Sequence, residues 1–254
     1  MMRIVYYLIN LDDNTQRFDT AFRQLADQGI EFIRVSAFDG RKLQAVNHPL
    51  YNQQRCLAYM GRELVGGEIG CYMSHLQCAQ RFLETDADFA VVLEDDFKTS
   101  HELKKKIEAT VDFLEKSNED WTLINIGNEK LKISSKITDI QIADDRHELH
   151  RAHYFPMTTT GLLWNRKGAS AFIRSATEIF APVDNYFRYW LTRTNTGLAF
   201  RPPLVSAIGA ESVIDAPLQN SKRKKQGRTI FYGISKQRRL WGDKFIALWH
   251  KFKR

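Results

Sequence analysis

Phe89-Ala90-Val91-Val92-Leu93-Glu94-Asp95-Asp96 is an apolar run that ends abruptly in three adjacent carboxylates. Short and β-branched, Val91 to Leu93 reads as a buried strand. Three like charges at one strand end repel each other. A fold accepts them only where a cation sits among them or where they fan out into water. Oxygen ligands at the carboxyl end of a strand suit a hard divalent ion, Mg²⁺ or Mn²⁺, that also binds a diphosphate. A strand running into a solvated acidic turn is the other reading, and these residues alone leave both open.

Working outward, Ile4 to Leu11 (IVYYLINL) predicts a first strand. Thr15 to Gly29 predicts an amphipathic helix with Phe18, Phe22, Leu25 and Ala26 on one face and Gly29 as its stop. Glu31 to Ala37 predicts a second strand, closed by the turn signal Phe38-Asp39-Gly40. Residues 41–65 read as irregular or weakly helical. Gly66-Gly67 precedes a helix from about Glu68 to Leu83, which leads into the acid-tipped strand. Downstream come a charged helix over His101–Lys116, a strand at Trp121–Ile126, a polar loop region over 127–153 and a strand at Thr158–Trp164. A helix over Arg166–Ser175 and another near Asp184–Leu191 follow. This alternation predicts an α/β domain with a mostly parallel sheet flanked by helices.

In such sheets ligands collect at the carboxyl ends of strands. Asn10-Leu11-Asp12, Ala37-Phe38-Asp39-Gly40 and Glu94-Asp95-Asp96 all fall at such ends, which predicts one polar crevice suited to a nucleotide. Neither a Gly-x-Gly-x-x-Gly fingerprint nor a P-loop is present, so a phosphate there needs another source of positive charge, which a metal held by acids supplies. On a helix Glu68, Cys71 and His75 share a face, and Gly67 at its start lets backbone approach a ligand at the positive end of the helix.

Taken together and in order, these segments resemble the family 25 glycosyltransferases, which include bacterial lipopolysaccharide galactosyl- and glucosyltransferases. The matching stretches are Ile9-Asn10-Leu11-Asp12 with Arg17, Ala37 to Gly40, Gly67-Glu68-Ile69-Gly70-Cys71-Tyr72-Met73-Ser74-His75-Leu76 and Leu93-Glu94-Asp95-Asp96. Thr159-Thr160-Gly161 through Arg166-Lys167-Gly168-Ala169 and Pro182-Val183-Asp184 complete the set, which covers about residues 4–190. GEIGCYMSH together with LEDD is the specific pair. Where members typically show Thr-Gly-Gly-Tyr, this chain has Thr159-Thr160-Gly161-Leu162.

The resemblance implies an A-type glycosyltransferase fold, Rossmann-like, with a UDP-sugar donor and Mn²⁺ (or Mg²⁺). It implies Asp96 as the metal ligand, with Glu94 and Asp95 assisting the donor. Asn10, Leu11 and Arg17, with Ala37, Asp39 and Gly40, would frame the nucleoside; Gly67, Glu68, Ser74 and His75 would serve the donor diphosphate or sugar. Asp184 matches the family's Pro-x-Asp carboxylate and is the expected catalytic base of an inverting transfer, ahead of Glu211 and Asp215. Local sequence alone also fits Arg17 as a solvated helix residue, Asp39 as a turn aspartate, His75 as a satisfied helical histidine and Asp184 as a helix N-cap.

The 254 residues carry a net charge of +7, unevenly spread: residues 222–254 hold twelve Lys or Arg against one acid, Asp243, so the remainder is mildly acidic. The expected division is a catalytic domain over 1–220 and a basic amphipathic tail over 221–254. Ser221 to Lys225 and Lys236 to Arg239 are charge clusters. From Leu240, apolar residues (Trp241, Phe245, Leu248, Trp249, Phe252) recur at helical spacing with Lys and Arg opposite. That pattern suits an interfacial helix on an anionic inner-membrane surface, each basic residue contributing roughly 1 kcal/mol. A helix packed on the body with a solvated basic face is the alternative. Nucleic acid is not expected, because no recognition motif accompanies the charge. No run of ~18 apolar residues suggests a membrane span, and Met1 to Leu11 reads as a strand rather than a secretory leader. Cys56, Cys71 and Cys78 are an odd number without metal-site spacing; Cys71 and Cys78, seven apart, read as small core residues on one helix face, which suggests a reducing compartment.

The functional expectation is a cytoplasmic, peripheral inner-membrane enzyme that moves a hexose, galactose ahead of glucose, from a UDP-sugar to a hydroxyl of a lipooligosaccharide. A non-catalytic nucleotide- or membrane-binding module on the same fold is the alternative. A cytosolic nucleotidyl- or phosphotransferase is a weaker third.

Overall fold

The computed structural model describes residues 2–128, 130–208, 228–230 and 232–253. Its centre is an eight-stranded sheet in the order β2-β1-β3-β8-β5-β9-β7-β6. The strands are β1 (Ile4–Asn10), β2 (Ile33–Ser36), β3 (Phe89–Glu94), β5 (Leu123–Asn125), β6 (Ser135–Ile142), β7 (Asp145–Arg151), β8 (Gly161–Asn165) and β9 (Gly197–Arg201). Six of the eight run in one direction; β7 and β8 run against them. The expected α/β fold with a mostly parallel sheet and flanking helices is therefore observed. A short second sheet pairs β4 (Phe97–Thr99) with β10 (Val205–Ala207).

β3 is apolar throughout because both faces of it are covered. Ala90 and Val92 face one core with Tyr72, Phe82, Trp164, Phe172 and Phe187. Val91 and Leu93 face the other with Leu25, Ile107 and Val111. The first core lies under α3 (Gly66–Glu84), α5 (Arg166–Ser175) and α6 (Val183–Thr194); the second lies under α1 (Thr15–Ala26) and α4 (Leu103–Lys116). β1 and β3 pair in parallel, Ile9 opposite Glu94, so Asn10 and the acids emerge at the same sheet edge.

Two segments depart from the expectations. Residues 127–153 are not a loop region: β6 and β7 form an antiparallel hairpin. Its signal is weak because the hairpin lies at the sheet edge, where only Ile140 of β6 is buried and charged pairs such as Arg146–Asp139 (2.9 Å) and Lys136–Glu148 (3.0 Å) cross between its strands. Within 41–65 a regular helix, α2 (Gln53–Met60), is present. Asn52 caps its start by accepting from Arg55 N at 2.9 Å, and Gly61 ends it at φ +72°. Cys78 is a core residue, as is Cys56, and Cys71 packs against the same core while also lining the cleft described below.

The C-terminal helix is α7 (Tyr232–Phe252), which packs on α2 and α6. The expected boundary at 220/221, the Ser221–Lys225 cluster, Glu211 and Asp215 lie outside the described residues.

Candidate active site

A cleft opens where β1, β2 and β3 end against the first turns of α3. Asn10, Leu11, Arg17, Ala37, Asp39, Gly40, Gly67, Ser74, His75, Glu94, Asp95 and Asp96 all line it. Three strand ends thus converge on one site, as the sequence predicts. Phe38, Arg41 and Cys71 line it as well.

The three carboxylates have different surroundings. Glu94 Oε1 is 2.9 Å from His75 Nε2, accepts from the Thr159 hydroxyl at 2.6 Å and lies 3.6 Å from Cys71 Sγ. Burial works against its charge, but the His75 and Thr159 hydrogen bonds prevail and hold it below the usual carboxylate range. Asp95 accepts from Asn10 Nδ2 at 2.7 Å and from Arg17 Nη1 at 3.3 Å. Asp96 is the residual charge. Among the described residues its Oδ1 is buried with no partner. Burial, with the charges of Glu94 and Asp95, pushes it up to about 6. A buried carboxylate oxygen with no donor, beside two further acids, is what a hard divalent cation would satisfy, so the residues present fit one.

The cleft wall opposite the acids is made by close backbone packing. Loop 37–40 presses on the first turn of α3, and a Cβ on Gly40 would lie 1.9 Å from Gly66 O. A Cβ on Gly70 would lie 2.4 Å from Phe38 O. Ser74 clips the same loop: its hydroxyl accepts from Phe38 N at 2.9 Å and donates to Gly70 O at 2.8 Å. The N-terminal turn of α3, with Gly67 at the cleft, supplies the positive end of a helix dipole for an anion. Asp39 is held at about 2 by hydrogen bonds from the Arg41 side chain and backbone.

Glu68 does not line the cleft. Its carboxylate pairs with Arg62 at 2.5 Å and accepts from Val65 N at 3.0 Å, capping α3. Asn10 is 1% exposed and its amide is shared, Nδ2 to Asp95 and Oδ1 to Arg34 Nη2 at 2.7 Å. Its contribution is to fix Asp95. Asp184 stands in the first turn of α6, accepting from Asn185 N at 2.6 Å and Asn185 Nδ2 at 2.9 Å. Asp184 is not among the residues that line the cleft, although α6 packs against α3, whose first turns form the cleft wall. Burial raises its pKa above the usual carboxylate value.

Residues 3–187 match the sequence profile of "Glycosyltransferase family 25 (LPS biosynthesis protein)". The chain belongs to this family. It is 33% identical over 132 residues to human "Procollagen galactosyltransferase 2", covering 50% of this chain and 21% of that protein. With zebrafish "Procollagen galactosyltransferase 1" it is 25% identical over 185 residues, covering 71% of this chain and 30% of the relative. The chain thus spans less than a third of the length of these relatives. A solved "glycosyltransferase involved in the glycosylation of the major capsid of PBCV-1" aligns with a TM-score of 0.43 at 10% identity, over 83% of this chain and 94% of that one.

Proposed function

We propose that the protein transfers a hexose, galactose ahead of glucose, from a UDP-sugar to a hydroxyl of a lipooligosaccharide on the cytoplasmic leaflet. The observation that carries this reading is Asp96, just beyond the end of β3: its Oδ1 is buried with no partner among the described residues, and it lines the cleft with Glu94 and Asp95. The family's lipopolysaccharide description supports the acceptor class, and the galactosyltransferase relatives support the sugar. Asp96 would hold Mn²⁺ or Mg²⁺, with Glu94 and Asp95 oriented beside it by His75, Thr159, Asn10 and Arg17. When bound, the cation supplies positive charge against the donor diphosphate and the nucleoside diphosphate that leaves.

The chain's own groups do the rest. The amides at the start of α3 receive phosphate oxygens, and loop 37–40, held by Ser74, frames the nucleoside. Asp184 accepts the proton of the acceptor hydroxyl as that oxygen bonds to the anomeric carbon and the bond from that carbon to the diphosphate breaks. Its raised pKa makes it a stronger base than an ordinary aspartate. Attack opposite the leaving group inverts the centre.

Calorimetric titration with UDP-galactose and UDP-glucose, each with Mn²⁺ and with EDTA, tests the reading. Metal-dependent binding of one donor, followed by its turnover, is the expected result. Binding without turnover on any lipooligosaccharide would instead identify a nucleotide-binding module. No binding of either donor by folded protein would remove the UDP-hexose assignment.

A further inference from the structure

Helices of soluble proteins pack with their largest apolar side chains inward; α7 does the opposite. The side turned to the body carries Asp243 and Ala247, both buried. Asp243 Oδ1 pairs with Arg193 Nη1 of α6 at 2.9 Å, Arg239 Nη1 donates to Tyr59 O of α2 at 3.2 Å, and His250 Nε2 meets Arg193 O at 3.1 Å. The start of the helix is tied down too, Thr229 N donating to Gly61 O at 2.9 Å. The outer side carries Ile234, Trp241, Phe245, Leu248, Trp249 and Phe252, with Trp241 56%, Phe245 66% and Phe252 75% exposed.

Cations are interleaved with this apolar face. Lys244 Nζ lies 4.9 Å from the Trp241 ring centre and Lys253 Nζ 4.3 Å from that of Trp249. Lys236, Arg238 and Lys251 are exposed on the same helix. Its one acid, Asp243, is turned inward, so the outer surface holds no carboxylate. Among the described residues, no helix is long and apolar enough to cross a membrane.

We infer that the outer face of α7 docks on an anionic lipid surface, lying in the plane of the headgroups. Rings at the headgroup boundary with lysines reaching past them to phosphate are the pattern of an interfacial helix. A second copy of the chain is the poorer occupant, because a two-fold contact would set this all-positive face against itself. The inference is independent of the donor and acceptor assigned above, since lipid binding is measured without either.

The test uses the full chain and vesicles of phosphatidylcholine, alone or mixed with phosphatidylglycerol. The wild type should sediment with the mixed vesicles and, in high salt, release. Tryptophan emission should shift to the blue on binding, a shift that the Trp241 and Trp249 changes below should remove, since Trp121 and Trp164 are buried and Trp190 is packed against the core. Trp241→Ser, Trp249→Ser and Phe252→Ser combined should weaken binding tenfold or more. Arg238→Gln, Lys251→Gln and Lys253→Gln combined should weaken it about 100-fold. These side chains are exposed, so an unchanged melting temperature in both variants shows that the fold is retained. Failure of the wild type to bind mixed vesicles would overturn the inference. So would full binding by the aromatic variant, or lipid-free self-association that the aromatic changes abolish.

Discussion

Asp96→Asn separates what the acidic cluster costs from what it does. In the wild type, burial and the charges of Glu94 and Asp95 raise Asp96 from 3.8 to about 6, and its Oδ1 has no donor among the described residues. An acid whose folded pKa exceeds its unfolded one is tolerated below the unfolded value and destabilises the fold once pH rises through the folded value. A rise of that size corresponds to about 3 kcal/mol at pH 7. The cleft opens to solvent, so about 1–2 kcal/mol is the figure to expect. Asparagine keeps the volume, removes the charge and offers an amide to Glu94 or Asp95. For a chain of this length that is a melting temperature roughly 3–6 °C higher in EDTA at pH 7. Scanning calorimetry with EDTA and with Mn²⁺ reads both halves: Mn²⁺ should raise the wild-type midpoint and leave the variant's unchanged, while turnover is lost. A variant that melts below the wild type in EDTA, or that Mn²⁺ stabilises equally, would refute the reasoning.

Other outcomes follow from the same geometry. Asp184→Asn should cut kcat by about 10²–10⁴ while donor affinity holds; in the wild type, activity should fall as pH drops through the raised Asp184 value, on an acid limb lying above the ordinary carboxylate range that the variant lacks. Thr159→Val removes a 2.6 Å donor from Glu94 and should raise the donor KM, with Thr159→Ser restoring it. Gly70→Ala puts a Cβ 2.4 Å from Phe38 O, so loop 37–40 must move; a loss of about 1–3 kcal/mol in urea unfolding and weaker nucleotide binding are expected.

The parts of the fold legible in the sequence are those where packing is one-sided or complete. β3 is covered on both faces and reads as an unbroken apolar run; α5 alternates cleanly and keeps its expected bounds, Arg166–Ser175. The β6–β7 hairpin is illegible for the opposite reason: at the sheet edge most of its positions meet water, so charge replaces hydrophobic alternation. The cleft itself is legible because strand ends must place polar residues there. What sequence cannot separate is which polar group meets a ligand and which meets a neighbour. Asn10 and Ser74 line the cleft, yet both are engaged in holding Asp95 and loop 37–40. Glu68 shares a helix face with His75, yet Arg62, six residues upstream, takes its carboxylate. Thr159, which braces Glu94 without lining the cleft, is not named as a site residue because its bond joins positions 65 residues apart.

α6 joins the two surfaces of the molecule. Asp184 lies in its first turn and Arg193 in its last, nine residues on, so about 14 Å of helix separates the candidate base from the partner of Asp243. Tyr186, Phe187 and Leu191 are buried between them, which leaves the helix no room to pivot. α7 is thus joined to Asp184 through a helix rather than a linker, so the inferred docking face and the candidate base are held by one element. Asp243→Ala removes the ion pair and leaves Arg193, itself partly exposed, with solvent access. Its effect on turnover should depend on the acceptor: transfer to an acceptor in a vesicle should fall, while transfer to the same saccharide freed of lipid should hold near wild type. Equal losses on both acceptors would mean that the Arg193–Asp243 pair supports the fold alone and does not position the chain on a surface.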